Sequence, residues 1–212
     1  MYTRSGRSMV EMLGVLAIIG VLSVGAIVGY SKAMMKYKLN KQAEQLNTVF
    51  NLVERNLHSF ENLKETVHLI PFFTKMGEIP QEMIKAGESN TIYDTFNTGI
   101  SIHKEYYPNV SGGPVSVYAV YITPELSKQS SDNLEICRNI MTIAKERADT
   151  LYAIQSYATN SPTPNASNLI GDKYCTGGLK CIRDLTLNGI YDFCTKQIGQ
   201  PNGGQLVISW HV

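Results

Sequence analysis

"GRSMVEMLGVLAIIGVLSVGAIVGYS", residues 6–31, decides how the rest of the chain is read. Over residues 12–30 the only strongly polar side chain is Ser23. That run is close to the ~20 apolar residues needed to cross a bilayer as a helix. A secretory signal peptide has a shorter apolar core, roughly 7 to 15 residues, and ends in a small-residue cleavage site. Here the run passes directly into "KAMMKYKLNKQAEQLNTVFNLVERNL", whose composition is strongly helical. In that continuation Ala43, Leu46, Phe50, Val53 and Leu57 recur every three or four residues, the spacing of one helix face. Lys32, Lys36, Lys38 and Lys41 follow the span, where cations can meet lipid headgroups. No proline precedes Pro71. The pattern predicts one helix from about residue 8 to about residue 57, apolar all round in its first half and amphipathic in its second.

One residue does not suit a plain membrane anchor. Glu11 lies at the start of the apolar run. A carboxylate in hydrocarbon costs roughly 2.5 to 3.5 kcal/mol on insertion scales and is normally paired. The run also carries Gly14, Gly20, Gly25 and Gly29. Small residues at such spacings, Gly25 and Gly29 above all, let helices approach closely.

Gly6, four residues, Glu11 and an unbroken apolar run together resemble the processing site of type IV prepilins and pseudopilins. The resemblance implies a leader of residues 1–6 with Arg4 as its basic residue. It implies a cut between Gly6 and Arg7 by prepilin peptidase on the cytoplasmic side, and methylation of the new N-terminus. It makes Glu11 the fifth mature residue, which in that family neutralises the N-terminal amine of a neighbouring subunit during assembly. Arg7 departs from the pattern, because the first mature residue is usually large and apolar. Arg7 and Glu11 are also i and i+4, close enough to pair within one helix. A proline often found inside the family's apolar helix is absent here.

Beyond the helix, residues 58–87 read as a second helix, a Pro-marked turn and a short third helix starting at Pro80. "TIYDTFNTGISIHKEYY" and "GGPVSVYAVYITPEL" carry strand signals, the second by alternating β-branched and aromatic residues after a Gly-Gly-Pro turn. Residues 131–155 return to helical spacing through Leu134, Cys137, Ile140, Met141, Ala144, Ala148 and Leu151. "YATNSPTPNASN" reads as a solvent-facing polar loop, with residues 158–168 foremost. "LTLNGIYDFCTK" predicts a short strand or turn near Asn188-Gly189, then a turn of helix. Leu206, Ile208 and Trp210 alternate in what should be the closing strand.

This order resembles a type IVb pilin head, through "GEIPQEM", the strand pair around "NTGISI" and "VSVYAVYIT", a Cys-bearing helix, and a late Cys before a terminal strand. The expected fold class is therefore α+β. A long N-terminal helix, membrane-spanning in its first half, packs on a small antiparallel head with disulfides. The implied division is leader 1–6, helix 7–57 with its membrane or filament-core part at about 9–30, and head 58–212. Four cysteines allow three pairings. The pairing adopted is Cys137 with Cys194, tying the late helix to the segment before the last strand, and Cys175 with Cys181, closing the "CTGGLKC" loop. An even cysteine count behind a membrane-directing segment fits an oxidising compartment.

The totals exclude other classes. Acids and bases nearly cancel, 18 against 19, and no basic face interleaved with aromatics is visible, so no nucleic-acid partner is expected. His58, His68, His103 and His211 are not at metal-ligand spacing, and no nucleophile elbow, phosphate loop or dinucleotide motif occurs. Asp132, Asp172 and Asp184 are scattered acids, with a loop calcium site as the minor reading. No cofactor, metal or catalytic residue is expected. The resemblance implies a structural subunit whose partners are further copies of itself, prepilin peptidase, the inner-membrane pilus assembly platform and, before assembly, lipid. The expected location is the bacterial inner membrane, single-pass with the head in the periplasm, and then a surface pilus serving adhesion or secretion. A minor pilin or a type II secretion pseudopilin would share this chemistry. From a different class, the alternative is a periplasmic binding or enzymatic domain on a signal anchor.

Overall fold

The computed structural model describes residues 9–108, 115–123, 131–158, 165–197 and 204–211. Gly6 and Arg7 lie outside them. The first helix, α1, runs Met9–Arg55. No proline interrupts it, and beyond residue 30 its Ala, Leu, Met, Lys, Glu and Gln residues favour helix. Residues 9–30 are instead rich in Val, Ile and Gly, and are helical because an apolar segment must satisfy its backbone groups internally. It belongs to two compact units, Met1–Asn40 and Lys41–Val212.

In the first unit the helix is exposed at every residue of 9–34. None of its most apolar 18-residue window is buried. By length and composition it is able to cross a membrane.

In the second unit, residues 41–55 of α1 are amphipathic and bury one face. Leu46, Val49, Phe50, Leu52 and Val53 are essentially inaccessible, while Ala43 and Leu57 are half-buried against the same core. The helix ends at Arg55 in a run of turns. The Tyr118 hydroxyl holds that turn, donating to the Asn56 carbonyl and accepting from the Phe60 amide, each at 3.2 Å.

The predicted second helix does not form. Residues 58–69 are turns followed by a two-residue strand, β1 (Val67–His68). The helix comes later, as α2 (Ile70–Lys75), with Pro71 in its first turn. Proline fits there because its φ is preset and its missing N–H would be unsatisfied in any case. After Pro80 there is a single 3-10 turn, Gln81–Met83.

The remaining strands are β2 (Ile92–Tyr93), β3 (Gly99–Tyr107), β4 (Val115–Thr123), β5 (Ala153–Ala158), β6 (Asn165–Ile170) and β7 (Gly204–His211). All named pairs are antiparallel, in the order β1-β3-β4-β7-β5-β6, with β2 also on β3. The closing strand is thus central, between β4 and β5, rather than at an edge. Its alternation serves one face. Tyr118 pairs with Trp210, Val120 with Ile208 and Ile122 with Leu206, all fully buried. Trp210 meets Phe50 of α1 edge to face at 5.5 Å.

Three further expectations are corrected. Helical spacing continues to Leu151, but α3 (Ser131–Lys145) stops earlier. The Arg147, Ala148 and Thr150 amides bond three residues back, which tightens the chain into turns before β5. Ala148 and Leu151 remain buried in those turns, so burial preserved the spacing after the helix had ended. The expected loop at 158–168 is partly strand, since β5 extends to Ala158 and β6 begins at Asn165. Residues 159–164 lie outside the described residues. The Asn188-Gly189 turn is instead the first turn of α4 (Leu187–Gln197). Thr186 caps it, its Oγ1 accepting from the Gly189 amide at 3.0 Å.

Candidate functional site

The candidate assembly segment is the described part of the first unit. Glu11 sits in the first turn of α1. A carboxylate there is favourably placed on the positive end of the helix dipole. At Gly14, Gly20, Gly25 and Gly29 a Cβ would meet nothing within 4 Å. The chain itself therefore uses none of the four close-approach positions. The cleavage pair Gly6 and Arg7 is outside the described residues, and the geometry brings nothing to bear on it.

In the second unit, two polar clusters are prominent among the contacts that fix the amphipathic part of α1. Buried Gln42 donates to Asp94 Oδ2 at 2.5 Å and accepts from Asn139 Nδ2 at 2.9 Å. Asp94 Oδ1 in turn accepts from the Phe96 and Thr98 amides, closing the turn before β3. At the other end, Arg147 Nη1 donates to Glu54 Oε2 at 2.6 Å, and Nη2 reaches Asn47 and Asn51 at 2.9 and 2.7 Å. Glu54 Oε1 also accepts from Thr150 Oγ1 at 2.8 Å and Trp210 Nε1 at 3.2 Å. A partly buried carboxylate with three donors is well compensated, and the cluster specifies the helix register on the sheet. Helical spacing puts Asn47, Asn51 and Glu54 on one face of α1 but gives no hint of Arg147, Thr150 and Trp210, which lie 93, 96 and 156 residues from Glu54.

The cysteines form two disulfides. Cys137–Cys194 joins α3 to α4 with both residues fully buried, at a sequence separation of 57. Cys175–Cys181 closes a small loop at a separation of 6.

The histidines do not converge on a metal. His58 lies beside Glu61 at the end of the turns. His68 and His103 meet edge to face across β1 and β3 with centroids 4.2 Å apart. His211 packs near Tyr152 and Tyr174. Among the described residues no group of three or more His, Cys, Asp and Glu is arranged to hold a metal ion, and Asp132, Asp172 and Asp184 belong to no such group.

One feature was not anticipated from sequence. On the sheet face away from the core, residues of β3, β4, β5 and β7 line a cavity of about 290 Å³ with the Glu105 carboxylate in its wall. The alternation of His103, Glu105 and Tyr107 along β3 was the available signal, since it places all three on one face.

These features together define a pilin-like architecture: a long apolar N-terminal helix, a seven-stranded antiparallel sheet and two disulfides. Comparison with protein-family models, curated proteins and solved structures finds no match to the chain.

Proposed function

We propose that the chain is a structural subunit of a type IV, IVb-like pilus. It is cut after Gly6 by prepilin peptidase, held in the inner membrane by the apolar part of α1, and drawn by the assembly platform into a helical filament of identical copies. The observation that carries this reading is the state of α1 in the first unit. Residues 12–30 are apolar on all sides and unburied, hold four unfilled glycine positions, and follow directly on the Glu11 carboxylate. Outside a membrane such a surface needs cover. Burial stabilises by roughly 25 cal/mol per Å² of apolar area, and helices of neighbouring copies supply that cover. In a bundle of apolar helices an ammonium and a carboxylate each require the other, so pairing Glu11 with a neighbour's N-terminal amine sets the axial stagger. The subunit's role is assembly, and no catalytic step is assigned to it.

Glu11→Gln tests this. The variant keeps the helix, its length and its apolar character, and removes one charge. It should insert, be cut and fold its head as the parent does. Filament recovered by shearing should fall at least about tenfold, the loss expected if the pair contributes roughly 1.4 kcal/mol or more per added subunit. Parental yields of sheared filament would refute the assembly role of Glu11.

A further inference from the structure

We propose that the outer face of the head sheet binds a small organic ammonium compound, seated over Ala119 and Ser209 against the Glu105 carboxylate. The cavity follows from side-chain heights on one sheet face. Ala119 of β4 and Ser209 of β7 are paired in register on the two central strands and line the cavity. Two small residues side by side leave a depression, and Tyr107, Tyr121 and Tyr157 rise around it. Its volume, about 290 Å³, is at the lower limit of small-molecule sites, roughly 300 to 1,000 Å³. A compact ligand fits and a drug-sized one does not.

The charge of the site selects the ligand. Glu105 is only 9 % exposed. Its two oxygens accept from the Tyr107 and Tyr121 hydroxyls, one each. Two neutral donors leave the formal charge in place and further lone pairs open. Among the described residues no lysine or arginine lines the cavity. His103 lies 3.8 Å from the carboxylate, but burial, and then the neighbouring His68, hold its pKa below the ordinary value, so it supplies no positive charge at neutral pH. Lys104, next in sequence, faces the other way, with Nζ donating to the Leu63 carbonyl. Burial and Glu105 raise the pKa of Tyr107 and Tyr121, which stay protonated donors. Donation to a carboxylate makes a phenol ring more electron-rich, and such rings attract cations to their faces. Tyrosine rings around one uncompensated carboxylate thus suit an alkylammonium or quaternary ammonium head.

The test is calorimetric titration of the full chain, in a polyoxyethylene detergent free of charge and sugar, with choline chloride. Its uncharged isostere 3,3-dimethyl-1-butanol and galactose serve as comparisons. Choline should bind saturably with a Kd of about 1 mM or tighter, and the isostere at least about tenfold more weakly. Glu105→Gln, which keeps the shape and removes the charge, should lose at least about tenfold in choline affinity. Ala119→Leu, which fills the floor, should abolish binding while the melting transition persists. Absence of saturable choline binding, equal binding of the isostere, or parental affinity in Glu105→Gln would overturn the proposal. Galactose binding more tightly than choline would also overturn it and make the site a sugar site.

Discussion

Gly171→Ala is expected to destabilise the head by at least about 3 kcal/mol, at the upper end of what overpacking costs. A Cβ at Gly171 would lie 1.7 Å from the Leu151 carbonyl oxygen and 2.7 Å from its carbon. Both are backbone atoms, so no side-chain rotation relieves the clash. The backbone at this point is doubly tied. The Gly171 amide donates to Tyr152 O at 2.8 Å, and the Asp172 amide donates to Ala148 O at 2.7 Å. Moving the chain away breaks the junction of β6 with the turns that follow α3. Gly171 has an ordinary extended backbone, φ −63° and ψ 153°, so the effect is steric and not conformational. Gly177, where a Cβ meets nothing within 4 Å, is the control and should accept Ala without loss. For a head of this size the Gly171 change should lower the melting temperature by roughly 6 to 12 °C. Equal melting of the two variants would contradict the close approach at Gly171.

The second large effect concerns the disulfides, which should be unequal. Chain entropy assigns about 4 kcal/mol to the Cys137–Cys194 link, whose sequence separation is 57, and about 2 kcal/mol to Cys175–Cys181, whose separation is 6. Replacing Cys137 and Cys194 together by Ala also removes two fully buried sulfurs from the α3–α4 contact, which adds a cavity term. The Cys137/Cys194 double variant should therefore lose at least twice what the Cys175/Cys181 double variant loses in denaturant melts. Burial also orders their reduction. Under mild dithiothreitol, alkylation followed by mass spectrometry should find Cys175 and Cys181 modified first. Equal stabilities of the two variants, or earlier alkylation of Cys137 and Cys194, would contradict this account.

What the sequence disclosed, and what it hid, follows from the range of each signal. The α1 helix was legible because its cause is local: an unbroken apolar run, no proline, then a three-and-four stripe ending near Arg55. β4 and β7 were legible because alternation over eight or nine residues has one meaning. β6 was not. "NASNLI" is polar, and it is a strand only because β5 lies beside it. The placement of β7 at the centre of the sheet is equally nonlocal. At α4 two local signals competed: Asn188-Gly189 suggested a turn, and the Thr186 cap decided for helix. The cavity wall was half visible. Alternation put Glu105 and Tyr107 on one face of β3, but the small floor requires Ala119 to pair with Ser209, ninety residues away.

The measurement closest to the central claim is the intact mass of the chain from membranes and from sheared surface material, with and without prepilin peptidase. The account predicts loss of residues 1–6 only when the peptidase is present, with or without an added methyl group at Arg7, and recovery of that species in the sheared fraction. An unprocessed mass, or a cut near residue 25, would contradict it and leave an anchored or secreted head in its place.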